Sequence, residues 1–353
     1  MNDINEIVVV GAGTDISKTA GIKSPYIASY TSTLHLQVKN SYPTTSTALN
    51  PKVEKLFDES HILSFYKAES KDLQTELSHS IYLDQYYNPK TEKIFGRRTR
   101  VQSVKSFNND FITYQYEREK LNTSVTIFKD SISANKKTFA LSKESNIPTD
   151  LLIKEDSIIY ISGIANGFQY RDGHQYLSPA AQGYILKLDE ALVEKSSYVS
   201  SSKQHSFIND LCDFDMSLLA TGTNQMESTG MDVQVQCYNK DLVEQWTYTH
   251  RQSNAQKGIK SIYRDGQIYT LGETINVKNK KTNAFLLFLN QEGKFVKDIE
   301  IEREESYHPR DFIITKDFIY LVASKQASRT SNMQSVILQL DKDGNFVHEI
   351  IIE

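Results

Sequence analysis

Tryptophan and cysteine are almost missing from this chain, with one Trp and two Cys in 353 residues. Two thiols cannot supply a disulfide framework, so packing and hydrogen bonds must hold the fold, and a reducing compartment fits. Long apolar runs are missing too. The longest near the start, Ile7 to Val10, falls far short of a membrane span or a signal-peptide core. As it stands the chain reads as cytoplasmic; a removed export signal would leave the same text and make it periplasmic or cell-surface. A surplus of either charge is also lacking. The formal net charge is −4 with a pI near 6.1, and the cations are scattered. That excludes the basic footprint of a nucleic-acid binder and a polybasic membrane patch. The nearest approach, Arg97, Arg98 and Arg100, reads as a solvated turn.

What is present is aromatic and β-branched. The 20 Tyr and 16 Phe, with many Val, Ile and Thr, favour strands over helices. A hydrophobic share of 39% against 24% charged is that of a globular chain, not a disordered one. Length alone suggests two domains. Repeat architectures escape that expectation, because they grow by adding units.

Seven times a polar or turn residue leads into a short apolar run. The runs open at Glu6 (EIVVVGAG), His61 (HILSFYKA), Asp110 (DFITYQYE), Ser157 (SIIYISGI), Ser217 (SLLATGTN), Gly266 (GQIYTLGE) and Asp317 (DFIYLVAS). Their separations are 55, 49, 47, 60, 49 and 51 residues, a period of about 52. After each run come a loop, a second strand, a tight turn and a third strand. The clearest cases are AFLLFLNQEGKFVKDIEIE from Ala284 and SVILQLDKDGNFVHEIIIE from Ser335; GYILKLDEALVEKSSY from Gly183 and VQVQCYNKDLVEQWTYT from Val233 follow the same plan. Gly293 and Gly344 fall where a hairpin loop needs positive φ. A further strand precedes the run in six of the seven units, as in SFINDLCDF from Ser206 and PRDFIIT from Pro309.

Four strands in about 50 residues is the size of one propeller blade. No segment keeps a 3.6-residue apolar period, so almost no helix is expected. One blade cannot bury both its faces, and stacking blades does so. The sequence thus predicts an all-β, seven-bladed β-propeller of four-stranded antiparallel blades in one domain. The blades span roughly 1–50, 51–99, 100–146, 147–204, 205–255, 256–306 and 307–353. Blade one is irregular, since only Met1 to Asn5 precede its run. Blades two and three are degenerate, so six or eight blades stay open. Cys212 and Cys237 fall on the first and third strands of one blade, about 10 Å apart and too far for a disulfide.

The pattern GxIYxxGxT…AFLxxLNxxGxxV in Gly266 to Val296 resembles bacterial β-propeller repeats of the SBBP-like and quinoprotein-like kinds. Asp241 to Trp246 is similar to the end of those repeats. The resemblance covers Ser157 onward and speaks to fold; it implies a binding or scaffold module, often at the bacterial surface. Enzymatic and other named propeller signatures are missing: Ser-x-Asp-x-Gly-x-Thr-Trp boxes, repeated tryptophan docking motifs, WD dipeptides and kelch double glycines.

Four constellations invite a chemical reading. IVVVGAGTD begins like a dinucleotide motif, but Ile16 stands where the third glycine belongs and Gly21 and Pro25 break the helix that should follow. Asp341-x-Asp343-Gly344-Asn345 begins like a calcium loop, but Ile352 stands where the bidentate Glu belongs, so a hairpin turn accounts for it. Neither leads to a cofactor or a metal. On the innermost strands, Asp150, Asp210 and Asp311 align in one column, with Glu54, Ser103 and Lys260 joining by looser alignment. Near a propeller axis these make a polar channel lining. The longest loop between second and third strands, Gly163 to Gln182, carries Tyr170, Arg171, Asp172, His174 and Tyr176. The links between blades should share its face, with Arg98, Arg100, His205, His250, Arg251 and His308. Aromatics and arginine anchor interfaces and stack on sugars.

The expected function is a non-enzymatic binding or scaffold propeller whose partner, a protein or a glycan, meets the loop-bearing face. The alternatives are a polysaccharide hydrolase or lyase using Asp210 and Asp311 as acid and base, and a structural subunit of a larger bacterial assembly.

Overall fold

The computed structural model describes residues 6–14, 22–56, 58–68, 76–97, 99–108, 110–117, 121–129, 132–142, 145–155, 157–171, 174–178, 180–201, 205–226, 230–276, 280–328 and 331–352. Among them there is no helix, and the architecture is all-β, of the seven-bladed β-propeller class. Each sheet is antiparallel and laid down in chain order. The first has three described strands, β1 (Glu6–Thr14), β2 (Lys23–Thr31) and β3 (Leu36–Ser41). The second holds β4 (Ala48–Lys55), β5 (His61–Ala68), β6 (Glu76–Leu83) and β7 (Pro89–Arg97). The third holds β8 (Thr99–Phe107), β9 (Asp110–Glu117), β10 (Asn122–Lys129) and β11 (Ile132–Phe139). In the fourth, β12 (Asn146–Lys154) and β13 (Ile158–Ala165) are followed by a separate hairpin, β14 (Phe168–Arg171) and β15 (His174–Leu177), before β16 (Gln182–Leu188) and β17 (Glu194–Val199) complete the sheet.

The last three sheets are regular. They are β18 (Ser206–Phe214), β19 (Ser217–Met226), β20 (Gly230–Asn239) and β21 (Glu244–His250); β22 (Ala255–Arg264), β23 (Gln267–Ile275), β24 (Thr282–Asn290) and β25 (Phe295–Ile301); and β26 (Ser306–Ile314), β27 (Phe318–Gln326), β28 (Gln334–Asp341) and β29 (Phe346–Ile352). The seven apolar runs are therefore β1, β5, β9, β13, β19, β23 and β27. The segment Met1 to Asn5, which precedes the first run, lies outside the described residues.

Contacts divide the chain into two units, Ile4–Ile159 with Leu188–Val193, and Tyr160–Lys187 with Glu194–Glu353. In the first, Ile27 of β2 packs with Leu63, Phe65 and Ile81, and Ile62 packs with Val101, Val104 and Phe111. In the second, Val233, Val235 and Cys237 pack on Ile268, Phe285 and Leu287, and Leu271, Leu286 and Phe288 pack on Phe312, Leu321 and Leu338. Alternate residues of one strand thus serve opposite neighbours, which is the two-sided burial that a strand rich in apolar residues requires.

A turn recurs in six sheets, and in four of them the preceding blade binds its backbone. Thr31, Asp84, Asp189, Asn239, Asn290 and Asp341 each accept, on a side-chain oxygen, the N–H four residues on, at 2.8–3.1 Å. The fourth residue of each turn has positive φ: Leu34, Tyr87, Leu192, Leu242, Gly293 and Gly344. For a leucine that conformation costs roughly 1–2 kcal/mol. Leu192 and Leu242 are buried, and burying a leucine returns about 1.5–3 kcal/mol. The preceding blade reads the turn's backbone. In the first unit Tyr42 Oη donates to Tyr87 O at 2.8 Å and Asn135 Nδ2 to Ala191 O at 3.2 Å. In the second, Lys187 Nζ donates to Lys240 O at 2.6 Å and Lys297 Nζ to Asp343 O at 3.1 Å.

Two motif-like stretches resolve into packing. Residues 6–14 form one uninterrupted strand, and a Cβ on Gly11 would come within 2.5 Å of Tyr26 Oη. Gly11 makes room for a tyrosine ring rather than a pyrophosphate. The Asp341 to Asn345 segment is the repeated turn. Cys212 and Cys237 are both free, and Leu219 of β19 pairs with each, so one strand separates them.

Candidate functional site

The inner-strand column resolves by register. A β-bulge interrupts β8, β18, β22 and β26, and the residue after it is Ser103, Asp210, Lys260 and Asp311 in turn. Glu54 does not belong to this column. Its strand is bulged between Leu49 and Lys52, and Glu54 pairs with Ile62, near the other end of β5. The carboxylates bind neighbouring strands. In the second unit Asp210 Oδ2 accepts the Ser261 N–H at 3.0 Å, and Lys260 Nζ lies 2.6 Å from Asp311 Oδ1. In the first unit Glu54 Oε1 accepts the Ser106 N–H at 3.2 Å, and its other oxygen lies 3.7 Å from Lys105 Nζ. Asp150 is half-buried on β12. Among the described residues no group of three or more His, Cys, Asp and Glu is arranged to hold a metal ion.

The residues expected on the loop-bearing face are dispersed. The segment read as a loop, Gly163 to Gln182, holds the β14/β15 hairpin, with Phe168 opposite Leu177 and Arg171 opposite His174. This corrects the loop reading: FQYR and HQYL each have aromatics at spaced positions that suit short strands. Only the backbone of Tyr170, Arg171, His174 and Tyr176 is described; Asp172 and Arg98 lie outside the described residues. Arg100 stacks its guanidinium over Tyr66, 5.5 Å from the ring centre. His205 meets Phe207 edge-on, and His308 Nδ1 lies 2.8 Å from Glu273 Oε1.

His250 and Arg251 do converge with other groups. His250 ends β21 and Arg251 follows it; with Tyr248, Thr249 and Phe295 of β25 they line a shallow depression of about 460 Å³. Three rings lie there nearly parallel. Tyr248 and Phe295 are 6.4 Å apart with planes 13° apart, His250 and Phe295 6.2 Å and 15°, and Tyr248 and His250 6.3 Å and 28°. Phe285 lies beneath, 5.6 Å from His250. Phe295 is 49% exposed and His250 only 6%. Gln252 Nε2 donates to Asp298 Oδ2 at 2.8 Å, and His250 Nε2 lies 3.5 Å from the same oxygen. Burial lowers the His250 pKa below 6.5, against the opposing pull of Asp298 and Asp232. Burial, helped by Asp298, raises the Tyr248 phenol. A neutral imidazole beside two parallel rings, with Arg251 in the same lining and the Gln252–Asp298 pair against His250, offers aromatic surface next to hydrogen-bonding groups.

Sequence reasoning singled out His250 and Arg251 but missed Tyr248, Phe295, Gln252 and Asp298. Phe295 occupies the same place in its repeat as Phe346, and the GKFV and GNFV segments read as consensus. The two differ in what they touch: the Arg303 guanidinium lies over Phe346 at 3.6 Å, while Phe346 is 41% exposed and Phe295 49%.

No protein-family model matches the chain, and no curated protein sequence does. Solved structures are similar in fold. A protein from Lactobacillus plantarum is 12% identical, with a TM-score of 0.59 over 99% of this chain and 99% of that one. The β-propeller domain of the trilobed protease from Pyrococcus furiosus is 9% identical, with a TM-score of 0.53 over 96% and 92%. The dihydro-heme d1 dehydrogenase NirN is 11% identical, with a TM-score of 0.53 over 94% of this chain and 64% of its own length. Likeness at these identities establishes the propeller fold, and fold leaves function open.

Proposed function

We propose that this protein is a non-enzymatic binding module and that its ligand is a glycan held in the depression between β21 and β25. The observation that carries the reading is the parallel set of Tyr248, His250 and Phe295, with half of the Phe295 ring open to solvent. A sugar presents an apolar face to such a ring and hydroxyls to its edges, where Arg251 lines the depression and the Gln252–Asp298 pair stands beside His250. The depression is shallow, as suits one or two sugar units of a longer chain. Two features weigh against the polysaccharide hydrolase reading: Asp311 is held by Lys260, and Asp210 by a backbone N–H.

The test is a glycan array probed with the full chain, followed by titration of the best binder against Phe295→Ala and Arg251→Ala. Loss of one stacking ring should weaken binding about tenfold with the melting temperature little changed. An array without binders, or unchanged affinity in Phe295→Ala, removes the proposal; capture of a protein ligand by the same surface would replace it.

A further inference from the structure

The register of the sixth sheet sets Gln256 opposite Thr274 and Thr274 opposite Asn283. Directly opposed residues put their side chains on one face, with Cβ atoms about 5 Å apart. That face meets the fifth sheet, because Ile268, Phe285 and Leu287 on the same alternation pack against Val233 and Val235. Gln256 is 1% exposed and Thr274 2%. Yet neither amide atom of Gln256, nor Thr274 Oγ1, nor Asn283 Oδ1 has a hydrogen-bond partner among the described residues. The Asn283 amide nitrogen is engaged, donating to Glu300 Oε1 at 2.8 Å.

A buried polar atom left without a partner is costly, so four in one row call for an occupant. The corresponding row of the seventh sheet needs none. There Tyr307 Oη donates to Glu349 Oε2 at 2.6 Å, and Lys325 lies 2.7 Å from Glu305 and 2.9 Å from Glu349. The chemistry of the sixth-sheet row selects its ligand. A cation would suit the three oxygens and be repelled by the Gln256 NH2 group; an anion would suit only that group. Water donates and accepts, and buried water makes about three hydrogen bonds.

We propose that water is sealed into the sixth sheet by Gln256, Thr274 and Asn283, forming a fixed hydration site behind the His250 ring. His250 stacks near Phe285, two residues along β24 from Asn283, so the water would lie on the inner side of the aromatic depression. The site stands whether or not a glycan binds at Phe295.

The test is a high-resolution crystal structure of the full chain, with Thr274→Ser and Thr274→Val beside it. Water should appear within roughly 2.7–3.2 Å of Gln256 Nε2 or Oε1 and of Thr274 Oγ1. It should persist in Thr274→Ser and be lost or displaced in Thr274→Val, whose melting temperature should fall by several degrees while that of Thr274→Ser falls less. Direct protein contacts to the Gln256 amide with no water, or an oxygen-only shell around an ion, would overturn the proposal. Should Thr274→Val fail to fold, the wild-type and Thr274→Ser structures decide it.

Discussion

Trp246 of β21 lies over Gly293, where a Cβ would come within 2.5 Å of indole Cε3. In the fourth and fifth sheets the same turn position carries a buried leucine, Leu192 or Leu242. The indole thus fills from the neighbouring blade the space that leucine fills from within the turn. Gly293 also has a φ of 74°, so Gly293→Ala combines backbone strain with a collision. A loss of about 2–4 kcal/mol is expected in urea unfolding. In Gly293→Leu, Trp246→Ala should recover part of the loss. Additive effects would show that the two residues do not share one space.

The His250 imidazole gives a pH prediction whose sign is fixed. Burial lowers its folded pKa below 6.5, so below about 6.5 the unfolded chain takes up a proton that the folded chain does not. Its contribution is present above that pH and is lost as pH falls through the folded value. His61 is also lowered by burial, so the difference between wild type and His250→Asn isolates His250. Melting temperatures should converge on acidification between pH 7 and pH 5, roughly. Parallel curves would mean that His250 titrates alike in both states.

How much of this was legible in the sequence follows from what repeats and what does not. The strand runs and the absence of helix among the described residues come from local alternation that recurs seven times, and the turn glycines Gly293 and Gly344 from turn chemistry. The inner-strand column was legible only in part, because bulges displace Glu54 relative to Asp210, and a bulge leaves no mark in one sequence. The aromatic stack was not legible, since Tyr248 and Phe295 belong to different repeats and meet only when two sheets pack. A leucine at positive φ was equally hidden: Leu192 and Leu242 read as ordinary strand residues until the homologous Gly293 and Gly344 reveal the turn they share.

The two cysteines should be inert in the folded protein. Burial, then Asp210, pushes the Cys212 thiol up to about 12, and burial also raises Cys237. The thiolate is the nucleophile, so at neutral pH a thiol reagent should modify neither at an appreciable rate in buffer and both rapidly in denaturant. Fast modification of Cys212 in the native state would place that thiol in a more polar setting than β18 provides.

Asp210 and Asp311 occupy equivalent positions after a bulge, yet their removal should respond differently to salt. Asp210 accepts a backbone N–H from the next sheet at 3.0 Å, and deleting the acceptor strands a donor on β22, a loss of about 1–3 kcal/mol. Asp311 pairs with Lys260, and their side chains are 56% and 31% exposed. Exposed pairs contribute about 0–1 kcal/mol. Asp311 Oδ1 also accepts the Phe312 N–H of its own strand at 2.8 Å, so both Asp210→Ala and Asp311→Ala should lower the urea midpoint. Salt should weaken only the Asp311 contribution, because screening acts on the exposed pair. A salt dependence at Asp210 as large as that at Asp311 would mean that both act as charges in a solvated lining rather than one of them as a joint between blades.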